Sequence, residues 1–598
     1  MTPDGRAAPP PFLVLAAVAS SGVAVMTVEM SAVRALQPFF GSTTPVFTNV
    51  IAVVLGALAV GSAFGGRIAD RRPSPTPLFA ALAAGGLLAA FAAALATPVS
   101  FAFLERGVDL EATASLLWKG SLGATLVLFA PPLVLLGMVP PLAVRLLASG
   151  GAGRAAGRVA AAFAAASVVG TYLPALALVP WLGARGSILF AAATAVLPGA
   201  AGHALLGGAA SRVAAVAVVG VGVIVGALAD LAPSRGAPVF DNGGVGVVLA
   251  ERESEYQYLT VREDSFPGGE VDRVLTINEA SYSFHSLKVA GRVLTDSRHY
   301  DDYSVLPLLV DRPPGAELRL GVIGFACGVN AAQWRHFWDG PFRLRVDGAE
   351  LDPEVIDLGR EFFGLPSTDG PDLRVAAADG RVWLASLPAD VRFDVLVVDA
   401  FASEIYMPFH LGTLEFLELA RRRLAPGGVL AMNVFAVGED APNLAALENT
   451  LATAFGACAR SSRDGGRGFL LVAADGGAPA LERLASDSVR RRFGARADVA
   501  EWDRLVALAA EVASDATIVR PRSGARVLTD DDAPLEHLTD RFVRDEERRF
   551  LAGASDVDDA PGRARLLALS RKQDRALAWV AAAWAAALAV AVVAVRRA

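Results

Sequence analysis

Before residue 233 the chain contains seven long apolar runs, at about 11–33, 45–66, 77–101, 120–143, 159–182, 186–207 and 211–232. A bilayer core about 30 Å thick needs roughly 20 apolar residues in a helix, because backbone polar groups in lipid must be satisfied within the segment. Runs this long, numerous and uncharged do not suit the core of a soluble domain. Residues 1–232 are therefore expected to form a multi-pass α-helical membrane domain. An eighth run near 576–595 ends at Arg596 and Arg597, so 575–598 is expected to be a closing transmembrane helix. Six further runs follow the first, which argues against a cleaved secretory signal. The composition agrees, with 54% hydrophobic and only 19% charged residues and a mean hydropathy of +0.45.

Charge is unevenly spread. Residues 1–232 carry 12 Lys and Arg against 7 Asp and Glu, and the remainder carries 42 against 54. A cationic, weakly charged first part thus precedes an acidic second part. An acidic total argues against nucleic acid as a partner, because phosphate binding needs a basic surface. The two cysteines, Cys327 and Cys458, exclude a disulfide scaffold and a cysteine-rich metal site. The connections 67–76 and 144–158 hold Arg67, Arg71, Arg72, Arg145, Arg154 and Arg158. Basic loops mark the cytoplasmic side, which puts the N-terminus there. Seven crossings then leave residue 233 outside; if 186–207 or 211–232 does not span, the polar part becomes cytoplasmic. Pro131, Pro132, Pro140, Pro141, Pro174 and Pro180 are read as kinks in membrane helices rather than as a transport site, and Glu29 as interfacial.

Residues 233–574 alternate differently. From Val245 to about Leu275 the pattern suits a short antiparallel sheet, with a turn at Phe266-Pro267-Gly268-Gly269. From about 311 an α/β pattern begins. Strands are expected at 318–323, 342–349, 373–377, 393–398 and 429–434, with helices from about 330, at 353–363 and at 414–424, and a turn at 426–428. Such alternation implies a parallel sheet covered on both faces. The expected organisation is thus a membrane bundle (1–232), a small β subdomain (233–310), an α/β domain built on a parallel sheet (311–500), a C-terminal extension and connector (501–574) and the closing helix. Ligands of such sheets bind beyond the carboxyl ends of the strands. Those ends carry Gly324, Glu350, Asp379 and Asp399. A small residue lets a ligand approach the backbone, an acid after the second strand can accept two ribose hydroxyls, and an Asp can accept an exocyclic amine. Any one of them alone would more often be a helix cap or a turn former.

At these residues the sequence resembles the spermidine synthase family, within the methyltransferase-like Rossmann superfamily, and more closely its bacterial membrane-fused form; the resemblance implies that 311–500 is a Rossmann-like, methyltransferase-type domain and that 233–310 is the small β subdomain and substrate gate. The resemblance covers about 251–436, with a further match at Leu528-Thr529-Asp530-Asp531-Asp532-Ala533-Pro534. It rests on Glu255-Tyr256-Gln257, Glu350-Leu351-Asp352-Pro353-Glu354-Val355-Ile356, Asp379-Gly380-Arg381, Asp394 to Phe401, Met407-Pro408-Phe409-His410-Leu411 and Pro426-Gly427-Gly428. In the membrane part, Glu29, Arg34, Pro38 to Gly41 and Gly65 to Asp70 also fit. The resemblance implies that Gln257, Gly324, Gly328, Glu350, Asp379 and Gly380 hold the nucleoside and that Asp399 is catalytic. It also departs from the family. The usual Gly-Gly-Gly-Asp-Gly loop is here Gly324-Phe325-Ala326-Cys327-Gly328, the second acid after Asp399 falls on Ala402, and the His before Leu-Pro-Leu falls on Tyr300.

The activity implied is aminopropyl transfer from decarboxylated S-adenosylmethionine to an amine. Such a donor is a co-substrate, so no permanently bound cofactor and no metal is expected. Tyr300, Tyr303 and Glu404 are candidate amine-binding residues, with Asp296, Asp301 and Asp302 adding negative field. Two alternatives stand beside this reading. One is a methyltransferase-type enzyme using S-adenosylmethionine itself. The other is a non-catalytic nucleoside- or polyamine-sensing domain on a transporter-like bundle. The expected setting is the inner membrane, with the lipid bilayer and small-molecule substrates as partners and a homo-oligomeric state.

Overall fold

The computed structural model describes residues 9–41, 44–71, 73–104, 114–206, 209–231, 245–278, 285–296, 298–401, 405–436, 438–463, 468–539, 541, 549 and 560–597. Among them, five helices are long and apolar enough to cross a membrane: Pro11–Phe40, Thr44–Arg71, Pro75–Phe103, Ala130–Leu147 and Ala152–Leu206, with the shorter apolar Arg212–Leu228 after them. The first three are α1, α2 and α3. The next pass is three helices in series, Ala114–Leu128, Ala130–Gly137 and Val139–Leu147. Its proline pairs stand in the first turns of the second and third helices, where a missing N–H leaves nothing unsatisfied. The prolines thus segment this pass without opening it.

The 55-residue stretch breaks at Gly183, whose φ of 68° and ψ of 176° are not helical. Close approaches reveal a reversal of direction there. Gly22 faces Phe163 and Ala166 while Gly170 faces Val23, so the arm before Gly183 runs parallel to α1. Gly86 faces Ala192 and Val196 while Gly199 faces Ala83, so the arm after it runs antiparallel to α3. With Ala209–Leu231 the chain runs the length of the bundle seven times before the polar part begins. Small residues permit this packing: a Cβ on Gly61 would stand 2.2 Å from the Val134 carbonyl oxygen.

The polar part opens with an antiparallel meander of β1 (Val245–Glu253), β2 (Tyr258–Ser265), β3 (Val271–Ile277) and β4 (Ser286–Val289). Its apolar face, with Leu259, Val261, Leu275 and Ile277, packs on Cys327, Val355, Leu358 and Phe363. Eight further strands form one sheet: β5 (Glu317–Ile323), β6 (Arg343–Glu350), β7 (Leu373–Ala377), β8 (Phe393–Val398), β9 (Leu424–Val434), β10 (Cys458–Arg463), β11 (Gly468–Ala474) and β12 (Thr517–Val519), in the order β12-β10-β11-β9-β8-β5-β6-β7. Strands β9-β8-β5-β6-β7 are parallel, and their apolar residues feed a core on each face.

Two expectations need correction. The sheet is mixed, because β11, β10 and β12 add antiparallel. Only residues 464–467 join β10 to β11, too few for a crossover, so the pair must be a hairpin. Pro426-Gly427-Gly428 does not precede β9 but lies inside it, where the register with β8 shifts.

The polar part sits at the end of the bundle where α1 finishes. Two nitrogen contacts from Arg34 reach Ser254 and Glu255, and the backbone N–H of Ala184 donates to Glu253. The closing helix, Ala560–Arg597, returns to the same end, where Lys119 pairs with Asp574 and the Gln573 amide donates to the Phe103 carbonyl. Arg67, Arg71, Arg145, Arg154 and Arg158 are exposed at the opposite end. Gly61→Val is expected to drive the second and fourth passes apart. Its overpacking cost of about 1–3 kcal/mol would appear as a lowered thermal midpoint of the detergent-solubilised chain.

Candidate active site at the strand tips

Strands β8, β5, β6 and β7 lie side by side, so their carboxyl ends form one rim carrying Asp399, Gly324, Glu350 and Asp379 in that spatial order. Gly324 has a φ of +83°, and a Cβ there would stand 2.1 Å from the Asp399 carbonyl oxygen. Only glycine fits both the conformation and the space. The turn that follows ends at Gly328, which is left-handed and precedes the helix Val329–Trp338. Phe325 does not stand in the crevice. It is 4% exposed, and its ring covers Gly348, where a Cβ would lie 2.5 Å from the ring. The bulk added to the glycine loop is thus accommodated by a side chain missing from β6. Cys327 is buried, its N–H donates to the Ser286 hydroxyl, and its thiol faces the Val355 carbonyl. Burial pushes that thiol upward, which keeps it an unreactive packing group.

Glu350 lies beneath this turn. Its Oε2 accepts the Ala326 N–H at 2.8 Å and its Oε1 accepts the Asp352 N–H at 3.2 Å. Burial, the strongest influence, pushes its carboxyl up to about 7, against the pull of those amides. Asp352 caps the helix Pro353–Leu358 through the Glu354 N–H. Its other oxygen accepts from the Ser254 hydroxyl at 2.6 Å and the Gln257 amide at 3.1 Å. Gln257 therefore stands beside the acidic loop, with its amide on Asp352.

Asp379 caps the helix Gly380–Ser386, its Oδ1 accepting the N–H groups of Arg381 and Val382 at 3.0 Å each. Its Oδ2 meets His410 Nε2 at 2.9 Å. Burial would raise this carboxyl, yet the Val382 amide and His410 together hold it below the usual range. Gly380 packs that helix against β5, since a Cβ would lie 2.1 Å from Ile323. Arg381 grips Asp530 with both terminal nitrogens, at 2.7 and 2.6 Å, and Thr413 donates to the same carboxylate at 2.7 Å. Donation from Arg381, the strongest influence, holds Asp530 down at about 2. The Asp530 motif could be quoted from the sequence, but nothing in its spacing pointed to Arg381 as the partner. Beside this clamp an open groove of about 650 Å³ is lined by Asp379, Arg381, Val382, His410, Glu415 and Arg422 among others. Neither Gly324, Glu350 nor Asp399 lines it, so it is not where those groups converge.

Asp399 follows the fully buried β8. Its N–H donates to the Ile323 carbonyl, and Asn433 on β9 donates to its Oδ1 at 2.9 Å. Asn433 went unremarked in the sequence, where it looks like any polar residue in an apolar strand. Tyr300 packs against Val274, Leu287 and Val289 of the small sheet and donates to the His285 carbonyl. Burial first, then the charge of Asp399 and the neighbouring Tyr303, pushes its phenol well up. Tyr300 thus lies within the field of Asp399. Tyr303 is wholly buried in the core, with its carbonyl holding Trp334. Asp301 is occupied by Thr295 and Gln333, and burial raises it to about 6. Asp302 is buried. Asp296 is turned outward to Arg292 and Arg504. Glu404 and Ala402 lie outside the described residues.

A methyltransferase-type Rossmann sheet, preceded by a small antiparallel sheet and carried on a helical bundle, is the class that this architecture defines. The chain is 30% identical over 308 residues to the "Probable polyamine aminopropyl transferase" of Bifidobacterium longum, covering 50% of this chain and 64% of that one. It is 35% identical over 191 residues to "Polyamine aminopropyltransferase 2" of Pseudomonas aeruginosa, covering 31% of this chain and 50% of that one. These matches span less than two thirds of each relative. The relatives they name are polyamine aminopropyltransferases, which supports the likeness to the spermidine synthase family. No family model matches the chain. A solved "probable spermidine synthase" from Corynebacterium glutamicum matches over 47% of this chain and 96% of its own at 21% identity, with a TM-score of 0.35.

The raised carboxyl of Glu350 has a consequence for stability. Its folded value lies above its ordinary 4.5, so the proton it keeps contributes stability that is complete below about pH 4.5 and lost as pH rises through about 7. Glu350→Gln is expected to flatten that part of the profile relative to the parent chain, as read from thermal midpoints between pH 4.5 and 7.5.

Proposed function

We propose that this chain is a membrane-bound aminopropyltransferase that moves the aminopropyl group of decarboxylated S-adenosylmethionine to an amine at Asp399. The observation that carries this reading is the convergence of Gly324, Glu350 and Asp399 on three neighbouring strand tips, in a domain whose sequence relatives bear aminopropyltransferase names. Glu350 would accept the ribose hydroxyls through the lone pairs its two amide contacts leave free. The Gly324 bend would let the nucleoside lie against backbone.

The acceptor sets the chemical problem. An alkyl amine has a pKa near 10.4 and is protonated at neutral pH, hence not nucleophilic. A carboxylate within hydrogen-bond reach attracts the cation and then accepts its proton. The freed nitrogen lone pair attacks the propyl carbon bonded to sulfur. The C–N bond forms as the C–S bond breaks, and the sulfur leaves with the bonding pair as the neutral thioether of methylthioadenosine. Asp399 holds the transferred proton until solvent takes it, and Asn433 fixes the orientation of that carboxylate. Tyr300, which lies within the field of Asp399, is proposed to flank the amine. Asp379 and Gly380 are proposed at the adenine end, where Asp379 would act through its capped helix, and Gln257 and Gly328 at the remaining sides of the nucleoside.

One observation favours a second reading. The exposed arginines of the connections between the second and third and between the fourth and fifth passes, Arg67, Arg71, Arg145, Arg154 and Arg158, lie at the end of the bundle away from the polar part, and basic loops face the cytoplasm. A domain on the outer side would be cut off from a donor made in the cytoplasm, which suits a nucleoside- or polyamine-sensing role. A pair of fusions at residue 240 separates the two. On the transferase reading a fluorescent-protein fusion glows and an alkaline phosphatase fusion is silent; an active phosphatase sustains the sensing reading.

Asp399→Asn is expected to lower the turnover of putrescine and decarboxylated S-adenosylmethionine by about 10²–10⁴-fold, the usual contribution of a positioned base. Calorimetric binding of methylthioadenosine should survive the change. Release of methylthioadenosine gives the rate, and undiminished turnover in the variant removes Asp399 from the chemistry.

A further inference from the structure

The strap that joins β1 to β2, residues Ser254 to Gln257, touches both the bundle and the acidic loop. On one side the Arg34 guanidinium, near the end of α1, donates to the carbonyls of Ser254 at 2.7 Å and Glu255 at 2.5 Å. Gln37, one turn further along α1, accepts from the same guanidinium at 3.2 Å and steadies it. On the other side the Ser254 hydroxyl donates to Asp352 at 2.6 Å, while the N–H groups of Tyr256 and Gln257 donate to that hydroxyl at 3.1 and 3.0 Å. Asp352 is the helix cap whose own N–H is held by Glu350. A continuous series of hydrogen bonds therefore runs from a membrane helix to the carboxylate that faces the ribose position.

Neighbouring groups reinforce the strap. Glu253, the residue before Ser254, accepts the Ala184 N–H at 2.8 Å. That amide opens the helical arm after the Gly183 break, so a carboxylate of the polar part caps a helix of the bundle. A Cβ on Gly183 would lie 3.0 Å from the same carboxylate oxygen. Ser254 itself is only 4% exposed. Its contact with Arg34 is part-buried and that of Glu255 exposed, and donation from a charged group is stronger than that from a neutral one.

We propose that Arg34 is a positioning residue for nucleoside binding, acting from the bundle through Ser254 and Asp352 on Glu350. It touches no reactant. It fixes the strap, the strap fixes Asp352, and Asp352 keeps the amide that orients Glu350. An arginine serving only to anchor the domain would need acceptors anywhere on its surface. Here one of its two acceptors in the polar part is the carbonyl of the residue whose side chain holds the acidic loop. Ligand occupancy of the Glu350 loop and the geometry of the end of α1 are then linked in both directions.

This inference rests on the nucleoside reading of the Glu350 rim, and the experiment distinguishes failure of either. The full-length chain in detergent or nanodiscs is titrated with methylthioadenosine by calorimetry, and its transfer kinetics are followed with decarboxylated S-adenosylmethionine and putrescine. If the parent chain binds neither nucleoside, the reading of the rim fails. If it binds, Arg34→Gln is expected to raise the nucleoside Kd and the donor KM about tenfold, roughly the worth of one charge-assisted hydrogen bond. The amine KM and kcat should stay near their parent values, whereas simple loss of folded protein would lower apparent kcat alone. Arg34→Lys should recover part of the affinity by keeping the charge. Ser254→Ala, which leaves the bundle untouched, should reproduce the donor effect. The double variant should be no weaker than the worse single one, because both cut the same series. Unchanged nucleoside affinity in Arg34→Gln, or full additivity with Ser254→Ala, overturns the proposal.

Discussion

The approach of Gly324 to the Asp399 carbonyl governs the candidate site. At that point β5 turns away from the sheet so close to the end of β8 that no side chain fits between them. Everything assigned to the rim follows from this contact. The turn can fold back so that the Ala326 N–H reaches Glu350, and Asp399 is brought beside the same opening. Parallel strands supply the alignment, because β8, β5 and β6 end together and point their carboxyl ends the same way. The carboxylates on this rim would otherwise repel one another, and each is held by donors. Backbone amides hold Glu350, Asn433 holds Asp399, and Ser254 with Gln257 holds Asp352.

Much of this was legible in the sequence. Apolar runs of about 20 residues gave the passes of the bundle, since lipid imposes length and apolarity together. Strands β7 and β8 appear where their residues predict them, because buried parallel strands leave a continuous apolar signature. The rim residues were legible for a related reason, as a strand that ends in Gly or Asp announces its own end. The antiparallel additions β10 to β12 were not read, because their apolar runs are short and say nothing of which neighbour they join. Pairings across the chain were equally hidden. No local pattern tells that Asp530 meets Arg381, that Asn433 meets Asp399, or that Arg34 meets the strap. Such contacts depend on the relative placement of whole elements, which one sequence does not encode locally.

The altered glycine loop illustrates how a departure from a family pattern is to be weighed. Phe325 looks obstructive when the loop is considered alone. In three dimensions its ring fills the space left by Gly348, two residues before Glu350. Cys327 likewise turns inward among apolar neighbours. Against the pattern of the family it resembles, the loop therefore lacks an acidic side chain, and its two bulkier residues are taken up by the core.

Where the polar part begins, Arg34 and Glu253 fasten it to two different passes of the bundle, while Gln573 and Asp574 fasten the closing helix to the same end. The two grips fall on adjoining residues at the end of β1. A tilt of α1 against the arm after Gly183 would therefore be felt first at that one strand end.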